Sequence, residues 1–207
     1  MQKLGFRVLG VSSLCFSPLY VSSALLALTA CGGSKDSAPP PATPAAEAAP
    51  GAASAGAESA AGKTIEVTFQ PKSGSTLSGK ATLSETPDGV KVALALEGLP
   101  PGEHGAHVHE KGDCSAPDGA SAGGHFNPAG NPHALPTGTP RHLGDLGNIA
   151  ISPDGKGTLD IVATGANLKD GDPNSFLGRA IIVHEKQDDG GQPTGNAGGR
   201  IGCAEIK

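Results

Sequence analysis

The chain has 207 residues, with 15 Lys plus Arg against 20 Asp plus Glu for a formal net charge of −5, and it is rich in Gly (32) and Pro (18). That balance excludes the basic footprint of a nucleic-acid-binding protein and the polybasic patch of a protein drawn to anionic lipid. With no Trp, one Tyr and five Phe, any core must be aliphatic, built from Val, Ile, Leu and Ala.

Lys3 and Arg7 precede a largely apolar run from Val8 to Ala30 that ends in Leu-Thr-Ala-Cys. A basic start, an apolar stretch and small residues before a cut point describe a secretory signal over residues 1–30. Leu28–Cys31 also resembles the bacterial lipobox, which makes Cys31 the lipidated first residue of the mature chain. Gly32 after it resembles the pattern for outer-membrane sorting. The run is long enough to be a transmembrane anchor instead, but five serines and Pro18 interrupt it. Residues 32–62 are Ala, Pro, Gly and Ser with almost nothing to bury, and with Cys31 they read as a lipidated, disordered tether. Residues 63–207 suit one folded domain.

In that domain, TIEVTFQ (64–70) alternates, with Ile65, Val67 and Phe69 on one face. KATLSE (80–85) is a further strand candidate, and VKVALALEGL (90–99) follows with Val90, Val92, Leu94 and Leu96 facing one way. HGAHVHE (104–110) alternates as well. Ala106 and Val108 suit the core, so His107 and His109 project side by side from the outer sheet surface. TLDIVA (158–163), AIIVHE (180–185) and RIGCAEI (200–206) complete the strand candidates. Pro-Asp-Gly recurs at 87–89, 117–119 and 153–155; the first and third copies fall between strands and read as hairpin turns. The stretches 111–147, 164–178 and 186–199 are long Gly/Pro-rich loops, and long loops in a compact domain are usually functional. No helical apolar stripe is present, so the fold is an all-β sandwich or barrel of seven or eight strands.

Of four cysteines, Cys15 leaves with the signal and Cys31 takes the lipid. Cys114 and Cys203 remain in an oxidising compartment, where a disulfide is the default. All seven histidines lie in the domain, at 104, 107, 109, 125, 133, 142 and 184, and most fall in or beside its loops. Any one of them reads equally well as a packed or surface imidazole. Seven in an aromatic-poor domain point to metal, and imidazole suits copper and zinc where calcium and magnesium want oxygen.

HGAHVHE, GGHFNP, RHLGDLGN, VHEK and TGNAGGR followed by a cysteine resemble, in order, the motifs of the copper/zinc superoxide dismutases over nearly all of residues 63–207. The resemblance implies an eight-stranded Greek-key barrel or sandwich of immunoglobulin-like form with long metal-binding loops. It implies copper held by His107, His109, His125 and His184, and zinc held by His125, His133, His142 and Asp145. His125 bridges the two ions and takes part in catalysis. Arg200 docks the superoxide anion beside copper, and Asp188 joins a copper-site histidine to a zinc-site histidine. His104 matches a non-ligand histidine that ties loop backbone together. The implied reaction converts superoxide to O₂ and hydrogen peroxide, in a periplasmic protein of the cell envelope that touches the membrane only through its lipid, as a monomer or homodimer.

Two departures from the family pattern stand out. Cys114 follows His109 early, as in bacterial members, and the loop between Asp188 and Thr194 lacks the charged residues that steer superoxide in eukaryotic members. Lys111 and Lys169 are the alternatives for that work. The rival functions are an envelope lipoprotein that stores or delivers copper and zinc, a zinc hydrolase, and a purely structural sandwich. The complete ligand set with Arg200 favours the dismutase over the first. A zinc closed by four protein ligands disfavours the second, and the histidines disfavour the third.

Overall fold

The computed structural model describes residues 62–207. The expected signal, Cys31 and all but the last residue of the tether lie outside the described residues. Nine strands follow in order: β1 (Thr64–Thr68), β2 (Gln70–Pro71), β3 (Ser78–Thr86), β4 (Gly89–Glu97), β5 (Gly102–His109), β6 (Asp145–Ile151), β7 (Lys156–Thr164), β8 (Ala180–His184) and β9 (Arg200–Glu205). A single 3₁₀ turn, η1 (Ala120–Ala122), interrupts the loop after β5.

Two antiparallel sheets, β1-β3-β4-β7 and β2-β9-β8-β5-β6, pack as a sandwich with Greek-key connections. β1 and β2 are one chain run that changes sheet at Phe69, whose ring is buried in the core. Counted as one strand, they give the expected eight. The hairpin expected at Pro87–Gly89 forms between β3 and β4. The turn at Pro153–Gly155 is closed by hydrogen bonds from Gly155 N to Ser152 O (2.9 Å) and Ser152 N to Lys156 O (2.8 Å), but it joins β6 and β7, which belong to different sheets, so the second expected hairpin is a crossing between the sheets.

The inward positions follow the alternation. Val67, Phe69, Leu83, Val90, Val92, Leu94, Leu96, Ala106, Val108, Ile181 and Val183 are all buried in one cluster. Each fully buried Leu, Ile or Val contributes about 1.5–3 kcal/mol over its exposed state, so the core needs no Trp. Phe126 and Phe176 meet edge to face at 6.0 Å, and the Arg179 guanidinium lies 4.2 Å over the Phe126 ring.

Two further sequence expectations change. Strand β6 occupies 145–151 and so takes in the end of the expected loop 111–147; Gly147 and Asn148 break the apolar run that would announce it. His107 and His109 do leave the core face, but they are fully buried rather than presented on an outer surface. Two of the loops expected to be functional, 111–147 and 186–199, reach them through Gly123, His125 and Asp188.

Candidate metal centre

Strand β5 delivers His107 and His109, the end of β8 delivers His184, and the loop between β5 and β6 delivers His125, His133 and His142, with Asp145 opening β6. A register shift in the β5–β6 pairing, between Ala106 and His107, turns the end of β5 toward these loops. An isolated bridge pairs His109 with His125, which brings the loop back across the strand.

The donor atoms sort into two groups. In the first, His107, His109, His125 and His184 each offer a ring nitrogen within 4.8 Å of the others. The partner of each ring's opposite nitrogen sets its tautomer. His109 Nδ1 donates to Gly123 O at 3.0 Å, His184 Nδ1 to Gly198 O at 3.2 Å, and His107 Nε2 to Asp188 Oδ2 at 2.8 Å. The remaining atoms, His109 Nε2, His184 Nε2 and His107 Nδ1, are buried with no hydrogen-bond partner. Three unsatisfied lone pairs aimed at one point in a dry interior cost free energy unless a cation fills that point.

The second group converges on Asp145. Its Oδ1 lies 3.2 Å from His125 Nδ1, 3.0 Å from His133 Nδ1 and 3.2 Å from His142 Nδ1, and the His125 and His142 nitrogens are 3.3 Å apart. The three ring centroids are mutually 5.4 Å apart. A four-coordinate zinc with bonds of about 2.0–2.1 Å spaces its donors by about 3.3 Å, which is the spacing found. His133 Nε2 donates to Asp188 Oδ1 at 2.9 Å, so its Nδ1 carries a lone pair facing a carboxylate oxygen. Two acceptors at that distance repel unless a positive ion lies between them. His107 also comes within donor reach of this second group. Its Nε2 is taken by Asp188, however, and its Nδ1 lacks a partner, so the geometry assigns it to the first. Both donor sets therefore fit an ion, the all-imidazole set suiting copper and the three-imidazole, one-carboxylate set suiting zinc.

Burial lowers the His109 pKa to about 2, His184 to about 3 and His107 to about 4, so these rings stay neutral lone-pair donors at neutral pH. Burial raises the carboxyl of Asp188, but hydrogen bonds from His107 and His133 outweigh it and hold the group well below the usual range. Burial of Asp145 is likewise outweighed, first by the hydrogen bond with His125.

Arg200 opens β9 beside the first group. Its Nη1 donates to Gly119 O and its Nη2 to Gly123 O, both at 2.7 Å, and Gly123 O is also the acceptor for His109. Cys114 and Cys203 form a disulfide that ties this loop to β9, and the buried Lys72 Nζ donates to Cys114 O. His104 joins His184 O at 2.9 Å and Pro100 O at 3.1 Å through its two ring nitrogens, the expected backbone tie.

A family model described as copper/zinc superoxide dismutase matches residues 77–206. The chain belongs to the copper/zinc superoxide dismutase family. The extracellular Cu-Zn superoxide dismutase of Brugia pahangi is 40% identical over 141 residues, covering 63% of this chain and 69% of the relative. The Cu-Zn superoxide dismutase 2 of Aquifex aeolicus (strain VF5) is 41% identical over 134 residues, covering 62% and 78%. The crystal structure of a superoxide-dismutase-like protein from Bacillus subtilis superposes with a TM-score of 0.61 at 34% identity, covering 69% of this chain and 97% of that one.

Relative to the dismutase motifs, sequence reading missed Asn148. Its side-chain amide accepts from Asp188 N and donates to Asp188 O, both at 2.8 Å, and so fixes the backbone of the carboxylate that spans the two groups. An asparagine in a strand, where the type is disfavoured, was the only signal available. The carbonyls of Gly119 and Gly123 carry none, since backbone acceptors leave no trace in residue type.

Proposed function

We propose that this chain dismutes superoxide to O₂ and hydrogen peroxide, with copper held by His107, His109, His125 and His184, and zinc by His125, His133, His142 and Asp145. The observation that carries this reading is the set of buried, partnerless imidazole nitrogens, His107 Nδ1, His109 Nε2 and His184 Nε2, converging next to a clamped arginine.

Copper, when bound, supplies the one-electron exchange that oxidises one superoxide to O₂ and reduces a second to peroxide. The remaining work falls to the chain. Arg200, held by two carbonyls, keeps N–H groups free to dock an anion in a protein whose net charge repels anions. His125 engages the second group through Nδ1, which leaves Nε2 as the atom that takes up one proton between the half-reactions and returns it to peroxide. The second proton comes from water. Asp188 orients His107 and His133 and blocks their alternative tautomers. A zinc held by His125, His133, His142 and Asp145 would have all four positions filled by protein and none open for hydrolytic water, and a store or carrier of copper has no use for a fixed arginine. Superoxide consumption by the copper- and zinc-loaded protein tests the proposal. Activity that collapses in Arg200→Ala and His107→Ala supports it, and a fully loaded protein without activity refutes it.

The Cys114–Cys203 disulfide and an extracellular relative fit a location outside the cytoplasm. The finer reading is a signal over 1–30, lipid on Cys31, a tether to residue 62 and a dismutase domain over 63–207, anchored to the outer membrane in the periplasm to protect the envelope. It rests on the leader and linker sequences. Mass spectrometry of the mature protein tests it, since an acylated Cys31 at the N-terminus is required.

A further inference from the structure

We propose that Gln192 is a positioning residue for zinc, because it grips the backbone of His133 at two points. Its Oε1 accepts from His133 N at 3.1 Å and its Nε2 donates to His133 O at 2.6 Å, across 59 residues of sequence. Asp188 Oδ1 holds the same residue through Nε2 at 2.9 Å. Backbone N–H, backbone C=O and one ring nitrogen are thereby all engaged, and Nδ1 alone remains free, aimed at Asp145 Oδ1. A ligand whose every other polar atom is pinned is pre-organised for its ion.

The clamp comes from a rigid platform. Asp189 N donates to Gly195 O at 3.0 Å and Gly195 N to Gly191 O at 2.6 Å, while the Asn196 amide spans both oxygens of Asp189 at 3.1 and 3.2 Å. Gln192 and Asn148 form a matched pair. Each carboxamide grips the backbone of one partner in the Asp188–His133 hydrogen bond. The loop that in this chain lacks the steering charges thus has a positional task in their place. Gln192 itself is solvent-exposed and fills no core space, so replacing it leaves the fold intact.

The inference rests on the assignment of His133 to zinc. The experiment follows zinc release from copper- and zinc-loaded protein to a chromophoric chelator, together with the visible bands of protein carrying cobalt(II) in place of zinc. Gln192→Ala is expected to release zinc about tenfold faster, the lower end of the effect of removing a partner that orients a metal ligand, and to shift the cobalt bands while copper is retained. Gln192→Glu is expected to behave alike, because its second oxygen meets the His133 carbonyl with no proton to share. Wild-type release and unshifted bands in both variants overturn the proposal. So does an equal loss of both metals accompanied by an equal fall in the thermal stability of the metal-free protein, which marks a plain fold contact. His133→Ala separates the two claims. If it keeps zinc as the wild type does, the ligand assignment itself is wrong; if it loses zinc while the Gln192 variants do not, only the clamp is.

Discussion

His107 and His133 donate to the two oxygens of a single carboxylate, Asp188, at 2.8 and 2.9 Å, and all three side chains are closed to solvent. One residue thus sets the tautomer of a donor in each group. Asp188→Asn offers an N–H where one imidazole N–H must be accepted, which leaves that ring unpartnered. We expect zinc affinity to fall about 10- to 100-fold, measured by equilibrium dialysis against a competing chelator, with the secondary structure unchanged.

Gly195 has no room for a side chain. A Cβ there runs into Asp188 Oδ1 and stands 2.8 Å from His133 Nε2, at a φ of +77° that L-residues avoid. Gly195→Ala therefore displaces Asp188 before it displaces anything else. Thermal unfolding with and without zinc is expected to show that most of the zinc-dependent stabilisation has gone, while the metal-free protein changes far less.

Arg200, the proposed dock for the anion, lies outside both donor groups. Removing an ionic hydrogen bond of about 1.5–3 kcal/mol lowers kcat/KM by about 10- to 100-fold. Arg200→Ala is expected to do this with copper and zinc contents at wild-type level, read by pulse radiolysis and metal analysis on the same sample. Asp118 acts on the guanidinium with the opposite charge. Asp118→Asn is expected to raise the rate at low ionic strength by about two- to threefold, a gain that salt removes.

The metal-free protein has a defined pH response. The folded values of His107, His109 and His184 lie at about 4, 2 and 3, below the ordinary imidazole value of 6.5, so the unfolded chain takes up these protons first. Stability from these sites is fully present above pH 6.5 and is lost as pH falls toward the folded values. Three such groups give a slope approaching about 4 kcal/mol per pH unit near pH 5. Chemical denaturation between pH 7.5 and 5 measures it, and a flat profile contradicts the burial of these rings as neutral imidazoles.

The Cys114–Cys203 disulfide supports the proposed anion site. It links residues 89 apart, and in the chain-entropy model closing such a loop contributes about 4–5 kcal/mol. It also holds the segment that carries Gly119 and Gly123, the acceptors of Arg200. Cys114→Ser with Cys203→Ser is expected to lower stability by an amount of that order and to reduce activity more than metal content.

Much of this was legible in residue order because the chemistry is concentrated in residue type. The histidines, Asp145, Arg200 and the cysteine pair are rare or reactive side chains at fixed spacings, and the alternation around Val90–Leu96 exposes the sheet directly. Strand β6 escaped because a carboxylate, a glycine and an amide occupy three of its first four positions, so its hydrogen bonding is set by β5 and not by its own apolar period. The burial of His107 and His109 escaped because loops distant in sequence cover them. Asn148 and Gln192 escaped because a carboxamide that grips backbone contributes through geometry alone, and nothing in the neighbouring residues announces the partner.

One imidazole, His125, reaches both donor groups. Diffraction from crystals loaded with copper and zinc, with anomalous data collected at each metal edge, tests it most directly. The expected result is copper at His125 Nε2 and zinc at His125 Nδ1 in the same molecule. A ring bonded to a single ion, with the other ion elsewhere, contradicts it.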